Sequence, residues 1–123
     1  MYYQIDTLER LLIVDLVGQP TVGEVVELIG KIRNDNRYQS TLNALIDLSR
    51  CDLSGFTTSQ IRSLISTVDH SAEDSRIAFL APGDLAYGMA RIYVSESSFV
   101  NERPRNVFKE YLPAMTWLKS EQD

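Results

Sequence analysis

Strand-like and helix-like segments alternate along this chain from end to end, and that alternation limits the fold more than any other feature. Tyr2 to Thr7 sets Tyr3, Ile5 and Thr7 on one face at the two-residue period of a strand. Leu8-Glu9-Arg10 can turn back into Leu11 to Val17, which is rich in aliphatic and β-branched residues, so an opening β-hairpin is predicted. Gly18-Gln19-Pro20 then breaks the chain. Thr21-Val22-Gly23-Glu24 has the spacing of a capping box, in which the Thr21 hydroxyl accepts from the Glu24 N–H and the Glu24 carboxylate reaches back. Val22, Val25, Val26, Ile29 and Ile32 follow on one helical face, which stops at Asn34-Asp35-Asn36. Leu42 to Leu48 reads as an interior strand. Thr57-Thr58-Ser59-Gln60 predicts a second capping box, ahead of the stripe Ile61, Leu64, Ile65 and Val68. Arg76 to Ala81 reads as a third core strand. Asp84 is the predicted N-cap of a helix running to about Ser97, with Leu85, Met89, Ile92 and Tyr93 inward. Asn106 to Phe108 is a short last strand, and Pro113 suits the first turn of a closing helix that turns Ala114, Trp117 and Leu118 inward. The order β-β-α-β-α-β-α-β-α predicts an α/β fold. Its sheet is mixed and mostly parallel, with about five strands, about four helices and one antiparallel strand supplied by the hairpin.

The 123 residues suit one domain spanning 1–123, long enough to bury a core without disulfides or metal. A net charge of −5 repels a phosphate backbone, and Arg103 and Arg105 are the closest approach to a basic cluster, so nucleic acid is an unexpected partner. One cysteine, Cys51, allows no intrachain disulfide, as in a reducing compartment. The N-terminus has no basic segment followed by an apolar one, and no apolar run is long enough to cross a bilayer. A cytoplasmic location is the expectation.

Few residues carry recognisable chemistry. His70 is the lone histidine, beside Asp69, and no nucleophile is paired with it, so a surface or capping role is expected. Cys51 follows Arg50, which could lower its pKa, but a buried or incidental thiol is the better reading. One His and one Cys do not make a zinc site, and no metal or cofactor is expected. Asp47 and Asp52 suit loop-stabilising hydrogen bonds better than a catalytic pair. Ser54-Gly55-Phe56-Thr57-Thr58 is a hydroxyl-rich helix start, a cap first and a seat for an anion or phosphate second. Pro82-Gly83-Asp84 is a turn and cap. Tyr87 is less easily buried than the other aromatics and is a candidate pocket residue. Arg91 is placed at a rim, where it would fork onto a carboxylate or phosphate or pair with Glu96 or Glu102.

Three stretches carry a family resemblance. They are Leu45-Ile46-Asp47-Leu48-Ser49 with Asp52-Leu53-Ser54-Gly55, then Ile77 to Gly83 with Tyr87 to Tyr93, and last Asn106 to Lys109 with Ala114 to Leu118. With the element order, they make the chain resemble the SpoIIAA-like group of the STAS fold (sulfate transporter and anti-sigma factor antagonist). The resemblance implies a non-enzymatic interaction module in which a partner kinase phosphorylates a serine at a helix N-terminus. The family pattern is Asp-Ser-Ser-Gly; here Leu53 occupies the acceptor's place, and Ser54 is a displaced candidate. The expected binding edge comprises Asp47, Ser54, Gly55, Thr57, Thr58, Gly83, Tyr87 and Arg91, at the C-terminal ends of the parallel strands. Its expected occupant is a protein partner or a small anionic or apolar ligand. An apolar cavity of some 300 Å³ or more would favour a lipid-like ligand. A homodimer is a further expectation, with exposed Tyr2, Tyr3 and Tyr38 contributing.

Overall fold

A computed structural model describes residues 1–68, 75–97 and 104–120. His70, Glu102 and Arg103 lie outside the described residues, as do the side chains of Leu64, Ile65 and Val68. The chain opens on strands β1 (Tyr2–Asp6) and β2 (Leu11–Asp15), paired antiparallel with Asp6 opposite Leu11. Asp6 shapes the turn, its Oδ1 accepting from the N–H groups of Leu8 and Glu9, and Arg10 takes a left-handed φ of 53°.

Helix α1 (Val22–Arg33) has the predicted capping box: Glu24 N–H donates to Thr21 Oγ1 and Thr21 N–H to Glu24 Oε1. Glu24 in its first turn and Lys31 and Arg33 in its last complement the helix dipole. The chain continues through β3 (Asn43–Asp47), α2 (Thr58–Val68), β4 (Ile77–Leu80), α3 (Asp84–Ser97), β5 (Arg105–Phe108) and α4 (Tyr111–Lys119). The five strands lie in the order β1-β2-β3-β4-β5, with every pair after the hairpin parallel. The predicted element order and mixed sheet are therefore present.

Each parallel crossover steps one strand in the same direction. Right-handed crossovers that all step one way place their helices on one face, and residues of α1, α2 and α3 do cover a single face, made by Leu12, Val14, Ala44, Leu48, Phe79 and Val107. The other face, with Leu11, Leu45, Ala78 and Leu80, is covered by Ala114 and Leu118 of α4. The strands' alternation thus divides the core into two layers.

Arg76 clamps α4. It is buried, its Nη1 donates to the carbonyls of Trp117 (2.5 Å) and Ser120 (3.0 Å) and to Ser120 Oγ, and its guanidinium lies 5.4 Å from the Trp117 ring centre. Asn43 adds a bond from Nδ2 to the Leu118 carbonyl at 2.8 Å.

Three local expectations change. The inward face of α3 centres on Ala86 and Ala90, and Leu85 is exposed, because small residues let this helix lie close to the sheet. Asp84 begins α3 and its carboxylate pairs with Lys109 at 2.8 Å, leaving the Gly83 carbonyl to accept from Tyr87 N–H. Tyr3 and Tyr38 are half-buried; Tyr3 Oη donates to Asp35 at 2.8 Å, since the segment after α1 folds back toward β1. Of the three tyrosines expected at a dimer contact, Tyr2 alone is exposed.

Candidate functional site

The parallel pairing of β2 with β3 does not stop at their ends. Leu16 N–H donates to the Asp47 carbonyl, Gly18 N–H to the Arg50 carbonyl, and Asp52 N–H to the Gly18 carbonyl at 2.7 Å. Gly18 sustains this with a φ of 79°, a conformation a side chain would strain. The lacing draws two loops together above the sheet and brings the N-termini of α1 and α2 side by side. Gln19 Nε2 crosses to Asp52 Oδ2 at 2.7 Å, and Asp52 Oδ1 accepts from Ser54 N–H at 2.9 Å. The Gln19 bond, followed by those from Ser54, holds the Asp52 carboxyl below its ordinary pKa, so it is ionised at neutral pH.

These residues enclose a polar groove of about 310 Å³, lined by Gln19, Pro20, Thr21, Val22, Asp52, Ser54, Gly55, Phe56 and Gln60. The helix N-termini facing it are already capped. Thr21 serves α1, and Thr57 serves α2 through the predicted box, with Gln60 N–H donating to Thr57 Oγ1 and Thr57 N–H to Gln60 Oε1. Among the described residues Asp52 is the only charged one lining the groove, so an anion seated here would meet a carboxylate.

Directly below, between the sheet and α1–α3, lies an apolar space of about 190 Å³. Its floor is Leu12, Val14 and Leu16 of β2 with Ala44, Ile46 and Leu48 of the neighbouring strand. Val25, Leu28 and Ile29 of α1, Ile61 of α2, and Met89 and Ala90 of α3 roof it. Pro20 and Phe56 line both spaces. Arg33 and Tyr38 stand at the far end. The volume falls short of the ~300 Å³ usual for a drug-sized ligand, yet exceeds the ~150 Å³ that suffices for benzene.

The structure brings together only part of the predicted edge. Ser54 and Gly55 line the groove, while Thr57 and Thr58 are exposed at the start of α2. Leu53, in the place of the family's acceptor serine, is half-buried against the core. Asp47 turns to the α4 face of the sheet, where its Oδ1 accepts from the N–H (2.9 Å) and hydroxyl of Ser49. Gly83 is exposed over β4, and a Cβ built there would touch nothing within 4 Å. Tyr87 lines neither space; it packs on the core with Lys109 Nζ 4.9 Å from its ring centre. Arg91 is exposed about two turns down α3, away from the rim, and Glu96 pairs with Arg62 instead. The Cys51 thiol is pushed up by burial and then by Asp52, while Arg50 is taken by Asp15 at 2.7 Å.

Sequence reading missed Gln19, Pro20, Phe56 and Asp15. Asp15 lies in register beside Asp47, on the same face, a proximity that exists only through the β2–β3 pairing. Among the described residues no group of three or more His, Cys, Asp or Glu could hold a metal, and no hydrogen bond joins any two of Asp47, Cys51 and Ser54. No helix there is long and apolar enough to cross a membrane. No family model, curated protein or solved structure matches the chain.

Proposed function

We propose that this chain is a non-enzymatic binding module of the SpoIIAA-like, STAS-like kind, acting in the cytoplasm and engaging a protein partner through the laced rim above β2 and β3. The observation that carries the reading is the rim itself. Two loops are tied by the Gln19–Asp52 bond and flanked by two capped helix starts, and they present an open polar surface. The element order and sequential strand order support the kinship. The Ser54 hydroxyl bonds to Asp52 and the Ser49 hydroxyl to Asp47, but Asp52, held below its ordinary pKa, is a poor base for hydrolytic or acyl-transfer chemistry. Leu53 packs inward and Ser54 stands beside an ionised Asp52, so a phosphate added there would be repelled rather than seated. The module therefore works without a phosphorylation switch.

Affinity capture from the native extract tests this, comparing the wild type with a rim variant, Ser54→Arg with Gln60→Lys, and a distal variant, Leu8→Asp. Leu8 is 94% exposed in the hairpin turn, at the opposite end of the sheet. A partner held by the wild type and by Leu8→Asp but lost by the rim variant is the expected outcome. Identical captures by all three would overturn the rim assignment.

A second reading, binding of a small apolar ligand, is favoured by one specific observation: the 190 Å³ apolar space that adjoins the groove.

A further inference from the structure

We propose that this chain forms a homodimer by pairing β1 with β1 of a second copy, Gln4 opposite Gln4, so that the two five-stranded sheets become one. This contact is separate from the rim and goes beyond the reading above.

The sheet has two edge strands, β1 and β5, and they are built differently. In a strand, the N–H and C=O of one residue point to the same side, and successive residues alternate. At β5, Ile77 N–H donates to the Pro104 carbonyl and Ala81 N–H to the Phe108 carbonyl, so Pro104, Asn106 and Phe108 face β4. Arg105 and Val107 therefore face outward. Val107 N–H is already taken by its neighbour's side chain, Asn106 Oδ1, at 2.9 Å. A preceding proline, a short strand, a cation and an occupied donor all guard an edge against further pairing.

β1 carries neither proline nor cation, and its one charge, Asp6, is its last residue. β2 meets β3 through the Arg10 carbonyl and the Leu16 N–H, so Leu12 and Val14 face β3 while Leu11, Ile13 and Asp15 face β1. Their partners Asp6, Gln4 and Tyr2 face β2, which leaves the N–H and C=O groups of Tyr3 and Ile5 directed outward. Among the described residues no further strand or loop bonds to them.

The occupant follows from what each edge carries. Pairing β1 with the guarded β5 of another copy would also build an open chain, whereas β1 against itself closes as a two-fold pair. Antiparallel pairing centred on Gln4 sets Tyr3 opposite Ile5 of the second copy, so the outward N–H and C=O groups of both satisfy one another. An aromatic opposite a β-branched residue is a favourable cross-strand pair, and both side chains lie on the face covered by α1–α3. On the other face the exposed Gln4 meets its own copy, where each amide can donate and accept. Asp6 falls opposite Tyr2 rather than another Asp6, so no like charges oppose each other along the paired strands. The two copies of β1 run in opposite senses, and the two laced rims therefore lie at opposite ends of the joined sheet.

Sedimentation velocity of the full chain from about 1 to 500 µM tests this, with the wild type expected to pass from monomer toward dimer over that range. Gln4→Lys and Gln4→Glu each set like charges side by side at the two-fold. Each should weaken dimerisation severalfold while circular dichroism shows the fold retained. The Lys variant moves the net charge of −5 toward zero and the Glu variant away from it, so weakening by both marks a local contact. An equimolar mixture of the two should dimerise more strongly than either alone. A wild type that stays monomeric throughout overturns the proposal, as do variants that dimerise as well as the wild type. Weakened variants whose mixture recovers nothing would overturn the register centred on Gln4.

Discussion

Arg76→Met removes the clamp on α4 while keeping a long, unbranched side chain in the space. The guanidinium makes two bonds to carbonyls at the end of α4, at 2.5 and 3.0 Å, and lies against Trp117. Hydrogen bonds from a charged donor are worth about 1.5–3 kcal/mol each, and a cation–π contact at a partly exposed site about 0.5–1. Against that gross gain stands the several-kcal/mol penalty for taking a cation out of water, which the variant no longer pays. The Trp117 carbonyl also keeps its bonds from the Ser120 N–H and hydroxyl, so it is not orphaned. The net loss is about 2–3 kcal/mol, or a fall in Tm of roughly 10 °C for a chain of this size. Urea unfolding should show a lower midpoint at an unchanged slope. Trp117 is the only tryptophan, so its emission reports the docking of α4 directly. A midpoint shift equivalent to less than about 0.5 kcal/mol, with Trp117 emission unmoved, would refute the reasoning that α4 is held by this group.

Three other perturbations have defined outcomes. Gly18→Ala places a side chain at a φ of 79°, and with nothing near its Cβ the loss of about 1 kcal/mol is backbone strain alone, measurable by urea unfolding. Leu45→Ala, at a site 1% exposed and central in the sheet, should cost about 2–5 kcal/mol, the upper part of that range signalling a cavity that does not collapse. Arg37, first by its side chain and then by its backbone, and Tyr3 hold the Asp35 carboxyl well below its ordinary 3.8. A carboxyl depressed in the folded state stabilises above its unfolded pKa and loses that contribution as pH falls through the folded one. The Tm advantage of wild type over Asp35→Asn should thus be present at pH 7 and close as pH drops below 3.8; an advantage that grows on acidification contradicts the assignment.

Local patterning in the sequence determined the order of elements, both capping boxes and the split of strand residues between two faces. These follow from periodicity and from hydrogen bonds spanning three residues, so nothing distant is needed to read them. Ser54 and Thr57 were legible as a helix start for the same reason. Patterning failed at α3, where it favoured the larger Leu85 over Ala86 and Ala90. How closely a helix approaches a sheet depends on what faces it, and small residues win where the approach is close. Arg91 was misplaced toward the rim because composition does not say how far along a helix the working edge extends. Only tertiary structure set Gln19 against Asp52, Asp15 beside Asp47, and Pro20 with Phe56 above an apolar space. Each of these pairings joins segments 30 or so residues apart. Their proximity is a product of strand register and of the lacing that continues past the strand ends, and neither leaves a local trace in the chain.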